Sequence, residues 1–236
     1  MTPIVDLDDA STWPAPFRAV VEQAASKTEE DAWLSDGDEL AAVNALSRYR
    51  VRAYHCTRLT PREVHSIRST GIRPLSREFT RERLVNAVAD GHLTEQEAAL
   101  YEQATLASEA NRAGMVWLFT DRASLADASQ IGYLVEVWGG EGINMAFHSH
   151  SPEVKRLERV GTPSVVIVAI DLGVHYQRSH PGLLTAAVRT LRLNGGGTSI
   201  QSSVAVGPEC IEAIEHPGGL FWNLYVWTRR GGFNSG

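Results

Sequence analysis

Residues 165–170 read Val-Val-Ile-Val-Ala-Ile, an unbroken apolar run of six between Ser164 and Asp171. A strand turns successive side chains to opposite faces of its sheet, so an all-apolar strand must be buried on both sides. This is the longest purely apolar stretch in the chain, and a bilayer-spanning helix needs about 20 such residues. No transmembrane helix is expected. A length of 236 residues, 43% hydrophobic and 21% charged, is that of an ordinary globular protein with one sizeable domain and room for an appendage. Asp6, Asp8 and Asp9 near the N-terminus replace the basic start and apolar core of a signal peptide, so the chain reads as cytoplasmic. Cys56 and Cys210 are the only cysteines, too few for a disulfide framework and without Cys-x-x-Cys spacing. Thiolate-held zinc is therefore not expected.

Turn and cap signals divide the rest of the chain. Residues 1–47 read as a helical appendage: Trp13-Pro14-Ala15-Pro16 marks a turn, Phe17, Val20, Val21 and Ala24 recur at helical spacing, and a second amphipathic run covers Glu29 to Arg48. Val51, Ala53 and Tyr54 predict a short strand ending at His55. Thr60-Pro61 opens a helix that stops at Gly71, ahead of Pro74. Glu78 to Arg112 predicts two helices broken near Asp90-Gly91-His92, the second opened by a Thr94 to Glu97 capping box. Further strands are predicted over Met115–Thr120, Tyr133–Trp138, Ile200–Val206 and Phe221–Thr228, with helices over 122–130 and 182–193. About six short strands with helices inserted early and late predict an α+β domain over 48–230, with a mixed, mostly antiparallel sheet, and a frayed tail at 231–236.

Charge is segregated along this pattern. Residues 1–47 carry ten acids against Arg18 and Lys27, whereas residues 48–83 carry ten arginines against Glu63, Glu78 and Glu82. Arginine supplies 20 of the 22 basic residues, and its planar fork suits phosphate or carboxylate contacts. Two readings follow. Either the basic region serves a phosphate-bearing ligand, or it is a solvated face on which the acidic segment docks and restrains access to a site. A net charge of −6 makes a generic nucleic-acid binder a poor fit.

The sharpest local feature is Tyr54-His55-Cys56-Thr57-Arg58, followed by a helix and Gly71-Ile72-Arg73-Pro74. His55 and Thr57 lie two apart on a strand and project to one side. This arrangement resembles the first strand and helix of the diphtheria-toxin-like and PARP-like ADP-ribosyltransferases. Gly114-Met115-Val116-Trp117-Leu118-Phe119-Thr120 is similar to the Gly-x-Tyr-Phe strand of the same superfamily. The resemblance implies an ADP-ribosyltransferase-like fold with NAD as substrate, His55 on the ribose, backbone around Cys56 on the nicotinamide amide, and Trp117 or Phe119 stacked on the ring. It also implies a macromolecular acceptor, protein or nucleic acid, and the role of a bacterial toxin or phage-defence effector with a possible antitoxin. The family's late-strand glutamate has no counterpart here: Ile200-Gln201-Ser202-Ser203-Val204 offers Gln201 or Ser203 instead.

Trp138-Gly139-Gly140-Glu141-Gly142 supplies another carboxylate, in a turn that glycines allow to approach a ligand closely. His-Cys-Thr-Arg-Leu-Thr, Asn111-Arg112-Ala113-Gly114, Trp-Gly-Gly-Glu and Gly161-Thr162-Pro163 together resemble a group of bacterial proteins of unassigned activity. That second resemblance groups His55, Arg112, Trp138 and Glu141 in one site. The candidate set is thus His55, Glu141 and Gln201 for catalysis, with Cys56, Thr57, Arg58, Arg112, Trp117, Phe119 and Trp138 for binding. Alternatives are a non-catalytic nucleotide-binding or protein-interaction module, and a metal-dependent hydrolase built on Glu141, His148 and His150. The latter pair lacks the His-Glu-x-x-His spacing.

Overall fold

The computed structural model describes residues 2–27, 35–109, 112–176, 178–180, 182–192 and 198–226. In chain order the elements are β1 (Ile4–Val5), α1 (Ala15–Lys27), α2 (Asp36–Leu46), β2 (Arg50–Leu59), α3 (Pro61–Thr70), α4 (Arg77–Ala89), α5 (Glu95–Ala104), β3 (Val116–Phe119), α6 (Arg122–Ala126), α7 (Ala128–Glu136), α8 (Glu141–Asn144), α9 (Pro152–Leu157), β4 (Thr162–Asp171), α10 (Leu172–His175), β5 (Arg178–His180), α11 (Leu183–Leu191), β6 (Ser199–Ser202), β7 (Ile211–Glu215) and α12 (Leu220–Tyr225). The strands form one open sheet in the order β5-β6-β3-β2-β4-β7, antiparallel throughout, with β1 added parallel to the start of β2. The chain is an α+β protein.

The apolar run accounts for the layering. Val166, Val168 and Ile170 of β4 join Val51, Ala53, Leu118 and Ile200 under α1, α2 and α11. Val165 and Ile167 point the other way and join Tyr54 and Cys56 beneath α6, α7 and α12. Both sides of β4 are therefore covered, and each buried Val or Ile contributes up to about 1.5–3 kcal/mol. A third cluster, with Leu84, Tyr101, Trp138, Ile143 and Leu157, holds α4, α5, α8 and α9 together beside the sheet.

Several elements differ from the sequence expectation. Tyr133–Trp138 is no strand, because α7 buries Ile131 and Val135 one helical turn apart. The expected strand over Phe221–Thr228 is α12 through Tyr225, with Trp222 and Val226 packed one turn apart on the Leu125 cluster; 227–236, including the tail, lie outside the described residues. The last strand is instead β7, which pairs with β4. β2 does not stop at His55 but runs to Leu59, in register with β4 from Arg50↔Asp171 to Leu59↔Thr162. Residues 193–197, and 28–34 of the second N-terminal run, also lie outside the described residues.

The N-terminal segment is built into the core. β1 lies beside Arg50 and Val51, Leu7, Phe17, Val21 and Leu46 are buried with Val166, and Glu39 caps α11 by accepting from the N–H groups of Leu183 and Leu184 at 2.6 and 2.9 Å. Among the described residues it does not dock as an acidic face on the arginine-rich region. Arg52 pairs with Asp6, but Arg62, Arg73, Arg81 and Arg83 pair with Asp90, Glu82, Glu102 and Glu63.

Candidate functional site

β2 and β3 share one register pair, Tyr54↔Phe119, and beyond it they separate. β4 continues along the far edge of β2, so the near edge from His55 to Leu59 has no strand partner among the described residues. The wedge between the two strands is a cleft of about 280 Å³, near the lower end of small-molecule sites. Its walls come from β2, β3, α3, α4, α7 and the turn before α8.

His55 sits at the apex of the split. Its Nδ1 is 3.0 Å from the carbonyl oxygen of Trp117, so this nitrogen carries the proton and donates. Burial lowers the His55 pKa, the Trp117 carbonyl pulls it back up in part, and the Arg83 charge lowers it further. The ring is thereby neutral, and Nε2 is left as the acceptor. Thr57 and Cys56 also line the cleft. Burial pushes the Cys56 thiol far up, so it remains protonated and is no nucleophile.

One wall begins at the cap of α3. Thr60 Oγ1 accepts the N–H of Glu63, and Glu63 Oε2 accepts the N–H of Thr60 at 2.8 Å, closing a capping box. The same carboxylate accepts Trp138 Nε1 at 2.9 Å and pairs with Arg83 Nε at 2.6 Å. Burial raises the Glu63 pKa, but the Arg83 charge and the bonds from Thr60 and Trp138 outweigh it, leaving the group below its usual value and ionised. Gly71 ends α3 with φ +82°, where a Cβ would stand 2.0 Å from the Val206 carbonyl oxygen. Any side chain at this position would collide with the Val206–Gly207 backbone.

The opposite wall carries Glu141. Gly139 and Gly140 adopt φ +95° and +58°, and this turn sets Glu141 at the first position of α8. Its Oε1 accepts the Tyr133 hydroxyl at 2.6 Å and its Oε2 faces Arg112 Nε at 3.3 Å. Burial and the Glu141 charge hold the Tyr133 hydroxyl protonated well above its ordinary range. Arg112 also contacts Glu109 and the Met145 sulfur.

The sequence candidates separate accordingly. His55, Cys56, Thr57, Arg112, Trp117, Phe119 and Glu141 all border the cleft. Trp117 is 39% exposed, unusual for a strand tryptophan and suited to stacking. Trp138 is fully buried in the third cluster and cannot stack on a ligand; it reaches the site through Glu63 and through the Arg83 guanidinium over its ring. Arg58 points away, its Nε bonded to the Val160 carbonyl at 2.6 Å. Gln201 pairs with Trp117 in the β3–β6 register but is absent from the cleft wall, as is Ser203. Asn111 lies outside the described residues.

Among the described residues no group of three or more His, Cys, Asp and Glu side chains is arranged to hold a metal, and Glu141 is engaged by Tyr133 and Arg112 instead of His148 or His150. Glu63, Arg83 and Tyr133 were not among the candidates. In the sequence Glu63 is one of three acids and Arg83 one of ten arginines in 48–83, and Tyr133 falls in a segment that alternates like a strand. No helix among the described residues is long and apolar enough to cross a membrane. The chain matches no protein-family model, no curated protein and no solved structure.

Proposed function

We propose that the cleft binds NAD and that the protein is an ADP-ribosyltransferase-like enzyme, breaking the nicotinamide–ribose bond and passing ADP-ribose to a macromolecule or to water. One observation carries this reading: a histidine whose Nδ1 is held by a backbone carbonyl, an exposed tryptophan and a carboxylate border the same cleft where the sheet splits. Nicotinamide stacks on Trp117 or Phe119, and His55 Nε2 accepts a ribose hydroxyl. The C1′–N bond breaks with its electron pair passing to the nicotinamide nitrogen, which leaves as neutral nicotinamide. Glu141 faces the positive charge that develops on the ribose and takes the proton lost when the acceptor oxygen or nitrogen bonds to C1′. Such chemistry asks the protein for orientation and electrostatic stabilisation more than for covalent help.

A binding module without turnover is the second reading. It is favoured by the two partners already held by Glu141 and by the lack of a carboxylate on β6. Incubating purified protein with NAD, with and without a chelator, separates the two. Release of nicotinamide that resists chelation supports the transferase. A melting temperature raised by NAD without nicotinamide release overturns it in favour of the binding module.

A further inference from the structure

Five arginines stand in or near the cleft region, and each has at least one partner among the described residues. Arg58 is bonded to the Val160 carbonyl, outside the wall. Arg112 contacts Glu109, Glu141 and Met145. Arg73 Nη1 is given to Glu82 at 2.7 Å, on a side chain 41% exposed. Arg62 is paired with Asp90. Arg83 differs from these. It lines the cleft, its side chain is only 13% exposed, and its Nε alone is used, by Glu63. Neither Nη group makes a hydrogen bond among the described residues.

The guanidinium is also fixed. Its carbon lies 4.7 Å from the centroid of the Trp138 ring and 5.8 Å from that of Phe79, and Trp138 donates to the same carboxylate that holds Nε. Ring faces and carboxylate thus set the plane of the fork before any ligand arrives. An arginine held in this way binds two oxygens of one oxyanion with little further loss of side-chain freedom. The Glu63 charge does not cancel the site, because that carboxylate is shared among three donors on the side of Nε. His55 is neutral, so it neither supplies nor competes for an anion.

We propose that the Arg83 Nη groups receive a phosphate of the ligand, clamped in plane by Trp138, Phe79 and Glu63. The inference rests on the NAD reading for the choice of phosphate over carboxylate. It makes Arg83 the residue that selects a phosphorylated ligand, in addition to Arg58 and Arg112, the arginines that the sequence offers for binding.

The test is calorimetric titration of inorganic pyrophosphate and of NAD into the parent, Arg83→Gln, Arg83→Lys and the double variant Glu63→Gln/Arg83→Gln. The double variant leaves no buried carboxylate without its counter-ion, and glutamine still closes a capping box. Pyrophosphate affinity should fall at least about tenfold in Arg83→Gln and in the double variant, and by less in Arg83→Lys, which keeps the charge but loses the fork. The His55 imidazole, followed by NMR, should titrate higher once the Arg83 charge is gone. Equal pyrophosphate binding by the parent and the double variant, or no binding by the parent, overturns the proposal. The two readings fail separately. A parent that binds pyrophosphate through Arg83 but leaves NAD intact removes the transferase and keeps the anion site; a parent that consumes NAD with an unchanged KM in Arg83→Gln does the reverse.

Discussion

Arginine–carboxylate pairs lie near both ends of β2, and the two ends differ in what occupies the strand's edge. At the first end β1 fills it, and Asp6 accepts Arg52 Nη1 at 3.0 Å together with an Arg122 Nη2 bond. Asp8 accepts the Arg122 backbone N–H at 2.8 Å, and Asp121 accepts the N–H groups of Ser124 and Thr198 at 2.8 and 2.6 Å. Here the charges tie segments far apart in sequence into one core. At the other end the edge is open, and Glu63–Arg83 and Glu141–Arg112 stand on the walls of a cleft. The same chemical pair is a fastening in one place and part of a cleft wall in the other, and the edge of the strand decides which.

Four substitutions sharpen or break that contrast. Asp6→Ala strips two arginines of their buried partner at the fastened end. It should cost about 3 kcal/mol, the low end of the range for opening a buried pair, because both arginines are partly exposed. Chemical denaturation measures the loss, and NAD binding extrapolated to the folded fraction should not change. Glu141→Gln at the open end should do the opposite, lowering NAD turnover roughly 10²-fold with little change in binding or melting. A variant that melts early with normal turnover would make Glu141 another fastening.

His55→Ala should weaken NAD binding by about tenfold in a titration while keeping a cooperative melt, since only one hydrogen bond to a backbone carbonyl is lost from the fold. Loss of the cooperative transition would place His55 among the structural residues. Asp8→Asn tests the fastened end through pH. Burial raises the Asp8 pKa from 3.8 to about 6; the Arg122 N–H lowers it, and the charges of Asp6 and Asp121 raise it. The folded state therefore holds that proton more tightly than the unfolded chain, and stability declines as pH rises from about 4 to 6. Asparagine carries no charge and can still accept the Arg122 N–H. The variant should melt higher than the parent above pH 6, by roughly 2–4 °C for each kcal/mol relieved, and the two should converge near pH 4.

What the sequence made legible was local punctuation. Thr60-Pro61, Thr94 to Glu97, the Asp90-Gly91 break and the run at 165–170 each identify an element whose signal lies within a few residues. Tyr133–Trp138 misled because Tyr133, Val135 and Val137 alternate like a strand, whereas packing beneath the sheet selects Ile131 and Val135 at helical spacing. Trp222 and Val226 were hidden in the same way in an aromatic stretch. β2 looked short because residues 55–58 are polar enough to suggest a strand end, yet the ten-residue ladder with β4 extends it. In the site, His55 and Glu141 stood out through their neighbours. Arg83 and Glu63 acquire a meaning only when α3, α4 and Trp138 are brought together in space.

The open edge of β2 bears on how the cleft can be studied by mutation. Main-chain N–H and C=O groups of an unpaired strand edge are the same whatever side chain follows them. A carboxamide seated between β2 and β3 would be held by peptide groups near His55 and Cys56, and replacing each lining residue by alanine would leave those bonds in place. A side-chain scan of this cleft would then undercount its affinity, and the missing share would surface only in ligand analogues that lack the amide or in backbone ester substitutions along the strand.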